Sequence, residues 1–122
     1  MEIVAQSKSI RVSARKVRLV ADVIRNKSVD QALNSLTLIK KRGAAVLFKT
    51  LKSAVANAIN NAKQKQDELV IKSIEIGEGP FLKRSRASTR GRQHPYKKRS
   101  SHIKIVLTDD KSQISNVKSQ IR

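Results

Sequence analysis

Residues 77–101 read GEGPFLKRSRASTRGRQHPYKKRSS and contain almost no apolar side chains that a core could bury. Within them, residues 83–99 contain eight lysine or arginine residues and no acidic residue. Such a composition is typical of disorder, because too little apolar surface is buried to offset the entropy of folding. However, a structureless loop of this length is uncommon inside a compact domain and usually has a function. The stretch is therefore either a flexible basic loop or an ordered extension of the body.

The segments on either side of this stretch alternate apolar and polar residues, as half-buried strands do. A chain reversal at residues 90–91, with a positive φ at the glycine, would join them in an antiparallel hairpin. The predicted register places Ile76 opposite Ile105. The next pair is then Ile74 and Leu107, so that all four apolar side chains share one face. This pattern predicts a long β-hairpin whose base belongs to the core and whose outer part leaves it.

The charge of the chain indicates its class of partner. Lysine and arginine number 27 against 9 aspartate and glutamate residues, which gives a formal net charge of +18 for 122 residues. Repulsion among these cations opposes a compact state unless a polyanion neutralises them. Nucleic acid does so effectively, because each phosphate contact also releases condensed counterions. The composition therefore predicts a nucleic-acid-binding protein rather than one with a merely solvated basic surface.

The predicted hairpin extension is too polar to be rigid without a partner. Each arm has about 11 residues, so at ~3.3 Å per residue it would reach about 35 Å beyond the body. An isolated two-stranded ribbon is only marginally stable in water, so we expect RNA packed along both sides to hold it straight. Arginine predominates near the tip, where it can pair bidentately with phosphates and stack on bases. His94 and Tyr96 are also able to stack on bases.

The rest of the chain predicts a short first strand and three helices. The strand covers residues 7–12, and Ser13 follows it as the N-cap of the first helix. Ser28 opens the second helix with a capping-box pattern, and a basic cluster at residues 40–42 with Gly43 separates it from the third. The third helix is the most clearly defined, with an apolar stripe that consists of Ala44, Leu47, Phe48, Leu51, Val55, Ala58, Ile59 and Ala62.

These elements predict an α+β fold, with three helices packed on a small antiparallel sheet and a long protruding β-hairpin. Residues 1–110 form a single domain in this interpretation, and the hairpin extension covers about residues 77–101. Residues 111–122 are expected to be a disordered tail, although Ile114, Val117 and Ile121 have the spacing of a short amphipathic helix.

Composition disfavours several classes of protein. The absence of cysteine excludes disulfides, a thiol nucleophile and cysteine-type zinc sites. The first residues lack the pattern of a signal peptide, and no apolar run approaches the ~20 residues that span a bilayer. We therefore expect a soluble, intracellular protein that is not exported and has no membrane partner.

Two other functions are alternatives to a structural RNA-binding role. An RNA-modifying enzyme would need an activated base or nucleophile in a pocket, but the only histidines are His94 and His102. The acidic residues are scattered, and the four glycines form no phosphate-binding loop. We thus predict no catalytic residue, no metal site and no cofactor. A general nucleic-acid-binding protein of the nucleoid type shares the charge but does not require two apolar strands bracketing a polar extension.

Several sequence motifs, taken together, resemble those of one protein family. They occur in the family's order and spacing over about residues 7–109, as SARKVRLVAD at residues 13–22, LKSAVANA at 51–58, EGPFLKR at 78–84, RGR at 90–92 and KRSSHI at 98–103. The chain is accordingly similar to the bacterial-type large-subunit ribosomal protein L-twenty-two family. This set of motifs is far more specific than any one of them alone.

The resemblance implies an α+β body at the ribosome surface near the peptide exit and a hairpin inserted into the large subunit. It implies binding to large-subunit (23S-type) rRNA during early assembly, among neighbouring ribosomal proteins that include the L-four protein. The hairpin tip would line the constriction of the exit tunnel and meet the nascent polypeptide. No homo-oligomer is expected. The implied location is a cytoplasmic ribosome of bacterial type, with an organellar ribosome as the alternative.

The charge pattern and the resemblance together predict two sets of functional residues. The resemblance places Lys83 and Arg84 in the stretch of the family that is associated with macrolide resistance. The predicted exit-tunnel tip consists of Ser88, Thr89, Arg90, Gly91, Arg92 and Gln93. The predicted rRNA-binding residues are Arg11, Arg15, Lys16, Arg18, Lys40, Lys41, Arg42, Lys83, Arg84, Arg86, Lys97, Lys98 and Arg99.

Overall fold

The structure, a computed structural model, describes residues 2–109, which form five strands, three α-helices and two short 3₁₀ turns. The 3₁₀ turns are Gln66–Glu68 and Thr89–Gly91. The α+β class is confirmed, whereas the prediction for residues 111–122 concerns a segment outside the described residues. In chain order the main elements are β1 (Glu2–Ile10), α1 (Ala14–Ile24), α2 (Val29–Leu38), α3 (Arg42–Asn60), β2 (Val70–Glu78), β3 (Leu82–Ala87), β4 (Gln93–Lys98) and β5 (Ser101–Thr108).

The body sheet is antiparallel and has the order β1-β5-β2, so β5 is its central strand. A central strand under a helical layer buries its inward residues completely, and Ile105 and Leu107 are both 0% exposed. Strand β1 begins at Glu2, five residues before the predicted start, because Ile3 and Ala5 are buried and alternate with exposed residues, on the opposite parity to Ile10. The register shifts between Ser7 and Ile10. The strand ends at Ile10 rather than at residue 12.

The register between β2 and β5 differs from the predicted register by two residues. Ile74 lies opposite Ile105, and Ile76 lies opposite Ile103. The predicted partners were Leu107 and Ile105, respectively. One residue of the difference arises at the turn of the finger, where Ala87 pairs with Gln93 rather than with His94, and the other arises where the ladder is interrupted as the hairpin leaves the body. Because the shift is an even number of residues, each strand keeps the same face toward the core, and these side chains are buried as predicted.

Two of the three helices pack directly on the body sheet, and the third packs on those two. Helix α3 packs on β1 and β5, α1 packs on β2, and α2 packs against both other helices. Ser28 caps α2 as predicted, since its Oγ accepts a hydrogen bond from the backbone N–H of Gln31 at 3.4 Å. Ser13 precedes α1 without a side-chain cap hydrogen bond. None of the helices within residues 2–109 is both long and apolar enough to cross a membrane.

Helix α3 confirms most of the predicted apolar stripe and widens it. Ala54 and Thr50, which lie outside the predicted stripe, are 0% and 2% exposed because α3 contacts both the sheet and the other helices. Ile59, which belongs to the predicted stripe, is 45% exposed. Gly43 lies inside the first turn of α3 rather than before it. A Cβ at Gly43 would lie 3.3 Å from the Cα of Val17 in α1.

We use the name finger for β3, β4 and the turn that joins them, residues 82–98. The finger forms a two-stranded sheet separate from the body sheet. Every residue of β3 and β4 is exposed. The predicted protruding hairpin is therefore confirmed, with base strands β2 and β5 that belong to the body.

Candidate nucleic-acid interface

The tip of the finger is a tight turn with a left-handed backbone. Gly91 has a φ of 69°, as predicted, and Arg90 before it has a φ of 60° and a ψ of 36°. The backbone N–H of Ser88 donates to the carbonyl of Arg92 at 2.7 Å, and the N–H of Arg92 donates to the carbonyl of Thr89 at 3.4 Å. The conformation of Arg90 was not predicted, because side chains other than glycine adopt it at a steric cost of about 1–2 kcal/mol. The turn leaves both arginines exposed at the end of the finger.

The pairing of β3 with β4 gives the finger two different faces, since directly opposed residues of an antiparallel ribbon share a face. One face carries Arg84 opposite Tyr96 and Arg86 opposite His94. The guanidinium of Arg86 lies 5.4 Å from the centre of the Tyr96 ring, within the range of a cation–π contact. This face therefore combines two guanidinium groups with two rings that are able to stack on bases.

The opposite face of the finger has smaller side chains and a cationic base. It carries Ser85 opposite Pro95 and Lys83 opposite Lys97. The Lys97 Nζ lies 4.6 Å from the centre of the Phe81 ring, which stands just before the finger. Two ammonium groups thus lie on this face, whereas the guanidinium groups and aromatic rings of the finger strands lie on the other.

A cleft of about 490 Å³ lies between the body and the base of β4. We call it the basic cleft. Three segments that are far apart in the sequence line it, and seven of its eleven lining residues are lysine or arginine. No acidic residue of the described chain is among them. The seven cations are Arg11, Lys16, Lys41, Arg42, Lys97, Lys98 and Arg99.

The remaining predicted rRNA-binding residues of the body and finger lie outside the basic cleft. Lys40 lines an adjacent groove between α2 and α3, and Arg15 is exposed on α1. Lys83, Arg84 and Arg86 are exposed along β3. The structure therefore brings one group of the predicted residues together around the cleft and distributes a second group along the finger.

Comparison with known proteins identifies the family to which this fold belongs. The model of the ribosomal protein L22p/L17e family matches residues 5–108. The chain belongs to this family. Its similarity to the L-twenty-two family, inferred from motifs over about residues 7–109, is thus confirmed over almost the same span.

Individual relatives of the L22p/L17e family match nearly the whole chain. The chain is 48% identical over 111 residues to the large ribosomal subunit protein uL22 of Mycoplasma capricolum subsp. capricolum, which covers 91% of this chain and 100% of that protein. It is 48% identical over 107 residues to the uL22 protein of Thermus thermophilus, covering 88% and 95% of the two chains. It is 47% identical over 109 residues to the uL22 protein of Akkermansia muciniphila, covering 89% and 97%.

One arginine of α1 and the arginine that follows the helix bind the edge of the body sheet in this L22p/L17e-family chain. The Nη2 of Arg18 donates to the carbonyl of Ile76 at 2.9 Å, and the Nη1 of Arg25 donates to the carbonyl of Ile74 at 2.9 Å. Strand β2 is an outer strand, whose free edge needs hydrogen-bond partners. Arg18 was predicted only as an RNA contact and Arg25 was not predicted at all.

The joint between finger and body is held by contacts around His102. The backbone N–H of Gly79 donates to the carbonyl of Ser100 at 3.0 Å, and the Ser100 Oγ donates to the carbonyl of Pro80. The Nδ1 of His102 accepts a hydrogen bond from the backbone N–H of Ser9 at 3.0 Å, which links β5 to β1. A Cβ at position 79 would lie 2.6 Å from the Ser100 Oγ and 3.1 Å from the His102 Cε1, so the close approach requires glycine.

The chemistry available at this interface is that of cations and planar rings. Within residues 2–109, no group of three or more histidine, aspartate or glutamate side chains is placed to hold a metal ion. The interface can neutralise phosphates, pair bidentately with them through arginine, and stack on bases.

Proposed function

We propose that this protein is a structural component of the large ribosomal subunit that binds 23S-type rRNA and assists the early assembly of the subunit. The relatives that match nearly the whole chain are named as large ribosomal subunit proteins. The observation that carries the proposal is the convergence of seven cations on one cleft at the base of a finger whose strands are exposed. A polyanion fits this arrangement, because it neutralises the cleft and the finger together.

The body provides contacts that position RNA more than they specify its sequence. Arg11 and Arg42 in the basic cleft present planar guanidinium groups that pair bidentately with phosphate oxygens. Lys16 and Lys41 contribute compact charges beside them. Recognition through such groups depends on where the RNA backbone runs, so the proposed specificity is for the shape of folded rRNA.

The finger enters a crevice between RNA helices in this proposal. Its two faces suit two different surroundings, because Arg86 and Tyr96 present a stacked cation and ring on one face. The other face presents the small side chains of Ser85 and Pro95, which allow an RNA backbone to come close. RNA on both sides supplies the support that an isolated ribbon lacks in water.

The tip of the finger, residues 88–93, lines the nascent-peptide exit tunnel next to the L-four protein. The resemblance to the family supports this assignment, and so does the tight turn that leaves Arg90 and Arg92 exposed. These two arginines face the passing polypeptide in the proposed arrangement. The protein is accordingly ribosome-bound in the cytoplasm, and the bacterial sources of its relatives favour a bacterial-type ribosome.

The second candidate function is general nucleic-acid binding of the nucleoid type, which the charge alone would favour. The two functions are separated by measuring binding to a bacterial large-subunit rRNA transcript and to duplex DNA of the same length over a range of salt concentrations. We expect tighter binding to the rRNA at every salt concentration and co-sedimentation with large subunits in high salt. Equal affinities that fall with salt at the same rate would instead support the nucleoid function.

A further inference from the structure

We infer that the basic cleft is an RNA-filled joint, in which a phosphodiester strand held between the body and β4 fixes the direction of the finger. This inference rests on the proposed rRNA binding and adds a specific task to one part of the interface. The body wall of the cleft carries Arg11, Lys16, Lys41 and Arg42, and the other wall is formed by residues 97–99 at the end of β4. The cleft therefore lies between the finger and the body, and a strand bound in it contacts both of the parts whose relative direction it fixes.

The connection between finger and body is narrow. The finger and the body sheet are separate sheets, joined through residues 79–81 and 99–100. The contacts at this joint include the Gly79–Ser100 backbone hydrogen bond, the bond from the Ser100 hydroxyl to Pro80, and the cation–π contact of Lys97 with Phe81. Contacts so close to the axis of a two-stranded ribbon resist its tilting only weakly. The direction of the finger consequently depends on what occupies the space between its base and the body.

The electrostatics of the cleft favour separation of its two walls in the free protein and their approach when RNA is bound between them. Cations line both walls of the cleft and no acidic residue of the described chain lies among them, and charges closer together than the Debye length of ~10 Å at 0.1 M salt are only partly screened. The two cationic walls thus repel each other without a counterion. A phosphate between them attracts both walls, so its binding converts the repulsion into a bridge.

The size and lining of the cleft fit a nucleic-acid backbone. Its volume falls within the range of about 300–1,000 Å³ that holds small ligands, enough for one or two nucleotides. Helices α1 and α3 also begin beside it, without acidic residues in their first turns, and their positive ends add to the same potential. Leu19 lines the cleft and is 63% exposed, so an apolar surface is available to a ribose or base.

The inference is tested by measuring the distance between finger and body with spin labels. Because the chain has no cysteine, Ser53→Cys on α3 and Ala87→Cys on β3 provide two unique labelling positions, both exposed. Pulsed electron paramagnetic resonance gives the distribution of distances between them. For the full chain we expect a broad distribution without RNA, and a distribution at most half as wide with a saturating bacterial large-subunit rRNA transcript.

The cleft variant is Lys16→Gln with Lys41→Gln, and the matched control is Lys49→Gln with Lys52→Gln, two exposed lysines of α3 outside the cleft. At saturating RNA, confirmed by co-sedimentation, we expect the distance distribution of the control to narrow as that of the wild type does. We expect the distance distribution of the cleft variant to stay broad. If the distance distribution of the cleft variant narrowed to the wild-type width, the inference would be overturned and the proposed function would stay intact. Failure of the wild type to bind the transcript would overturn both.

Discussion

Lys83 and Lys97 lie directly opposite each other in the ladder of the finger. Like charges at directly opposed positions destabilise an antiparallel pair, and both strands of this pair are exposed to solvent. The finger is therefore less stable alone than its hydrogen bonds suggest. An anion between or beside the two ammonium groups removes this cost, so the sequence of the finger suits an RNA-bound state better than a free one.

Lys83→Glu should stabilise the free finger and weaken its binding to RNA. The substitution replaces an opposed pair of like charges with an opposed ion pair, which is worth roughly 0.2–1 kcal/mol in a ribbon. Hydrogen exchange of the β3 and β4 amides should slow accordingly. The slope of log affinity for rRNA against log salt should decrease by about 1, which corresponds to one lost phosphate contact. Arg84→Glu is the matched control, since it makes the same charge change opposite Tyr96. Equal slowing of exchange in both variants would contradict the explanation.

Replacement of residues 84–96 by Asn-Gly should shorten the finger without unfolding the body. The new two-residue turn closes the hairpin at the opposed pair of Lys83 and Lys97. Four arginines are lost, so the slope of log affinity for rRNA against log salt should decrease by up to about 3. Thermal unfolding followed by circular dichroism should keep its midpoint within a few degrees.

A smaller replacement separates the tip from the arms. Asn-Gly in place of residues 88–92 removes only Arg90 and Arg92, so the slope should decrease by up to about 1.5. In cells, we expect the longer replacement to reduce the yield of large subunits and both replacements to alter the response to macrolides. Normal subunit yield and an unchanged macrolide response with the shortened finger would count against the proposed function.

Arg18→Gln should lower the stability of the body, whereas Arg15→Gln should lower only RNA binding. Arg18 donates to the carbonyl of Ile76 at the sheet edge, and hydrogen bonds to charged groups contribute about 1.5–3 kcal/mol. Partial exposure reduces this, so we expect a loss of about 1 kcal/mol in urea unfolding. Arg15 is exposed one turn earlier on the same helix, and its loss should change the free energy of unfolding by less than about 0.5 kcal/mol. Similar destabilisation by both substitutions would show that the edge contact is not the cause.

Gly79→Val should destabilise the joint between finger and body, whereas Gly77→Val should not. A Cβ at position 79 meets the Ser100 hydroxyl and the His102 ring, and forcing atoms into such a contact costs about 1–3 kcal/mol. A Cβ at position 77 meets no heavy atom of the described chain within 4 Å. Both variants are compared by urea unfolding and by hydrogen exchange of β2 and β5. Equal unfolding free energies for the two variants would disprove the role of the close approach.

Local patterns were enough to predict the parts of the fold that depend on one segment at a time. The alternation around Ile74 and Ile105 identified the two base strands and their buried faces correctly. The capping pattern at Ser28 located the start of α2, and Gly91 located the turn of the finger. Each of these features is encoded within a few neighbouring residues.

The features that were missed depend on how separate segments meet. The two-residue error in register has two sources, one residue at the turn of the finger and one at the joint, where the ladder is interrupted between Gly79 and Ser100. Ala54 is buried because α3 is covered on two sides, which periodicity within one helix does not reveal. The basic cleft likewise depends on the fold, because Lys16, Lys41 and Lys97 come from three separate segments that line the same space.

The position of β5 between β1 and β2 has a consequence for the synthesis of the chain. Glu2 pairs with Thr108, so the β1–β5 ladder joins the two ends of the described chain. Neither outer strand has its partner until the finger, which lies between β2 and β5 in the sequence, has been translated. Such distant pairings form slowly. A nascent copy therefore displays its cationic ribbon before its own sheet is complete, and during that interval premature capture by cellular RNA competes with folding.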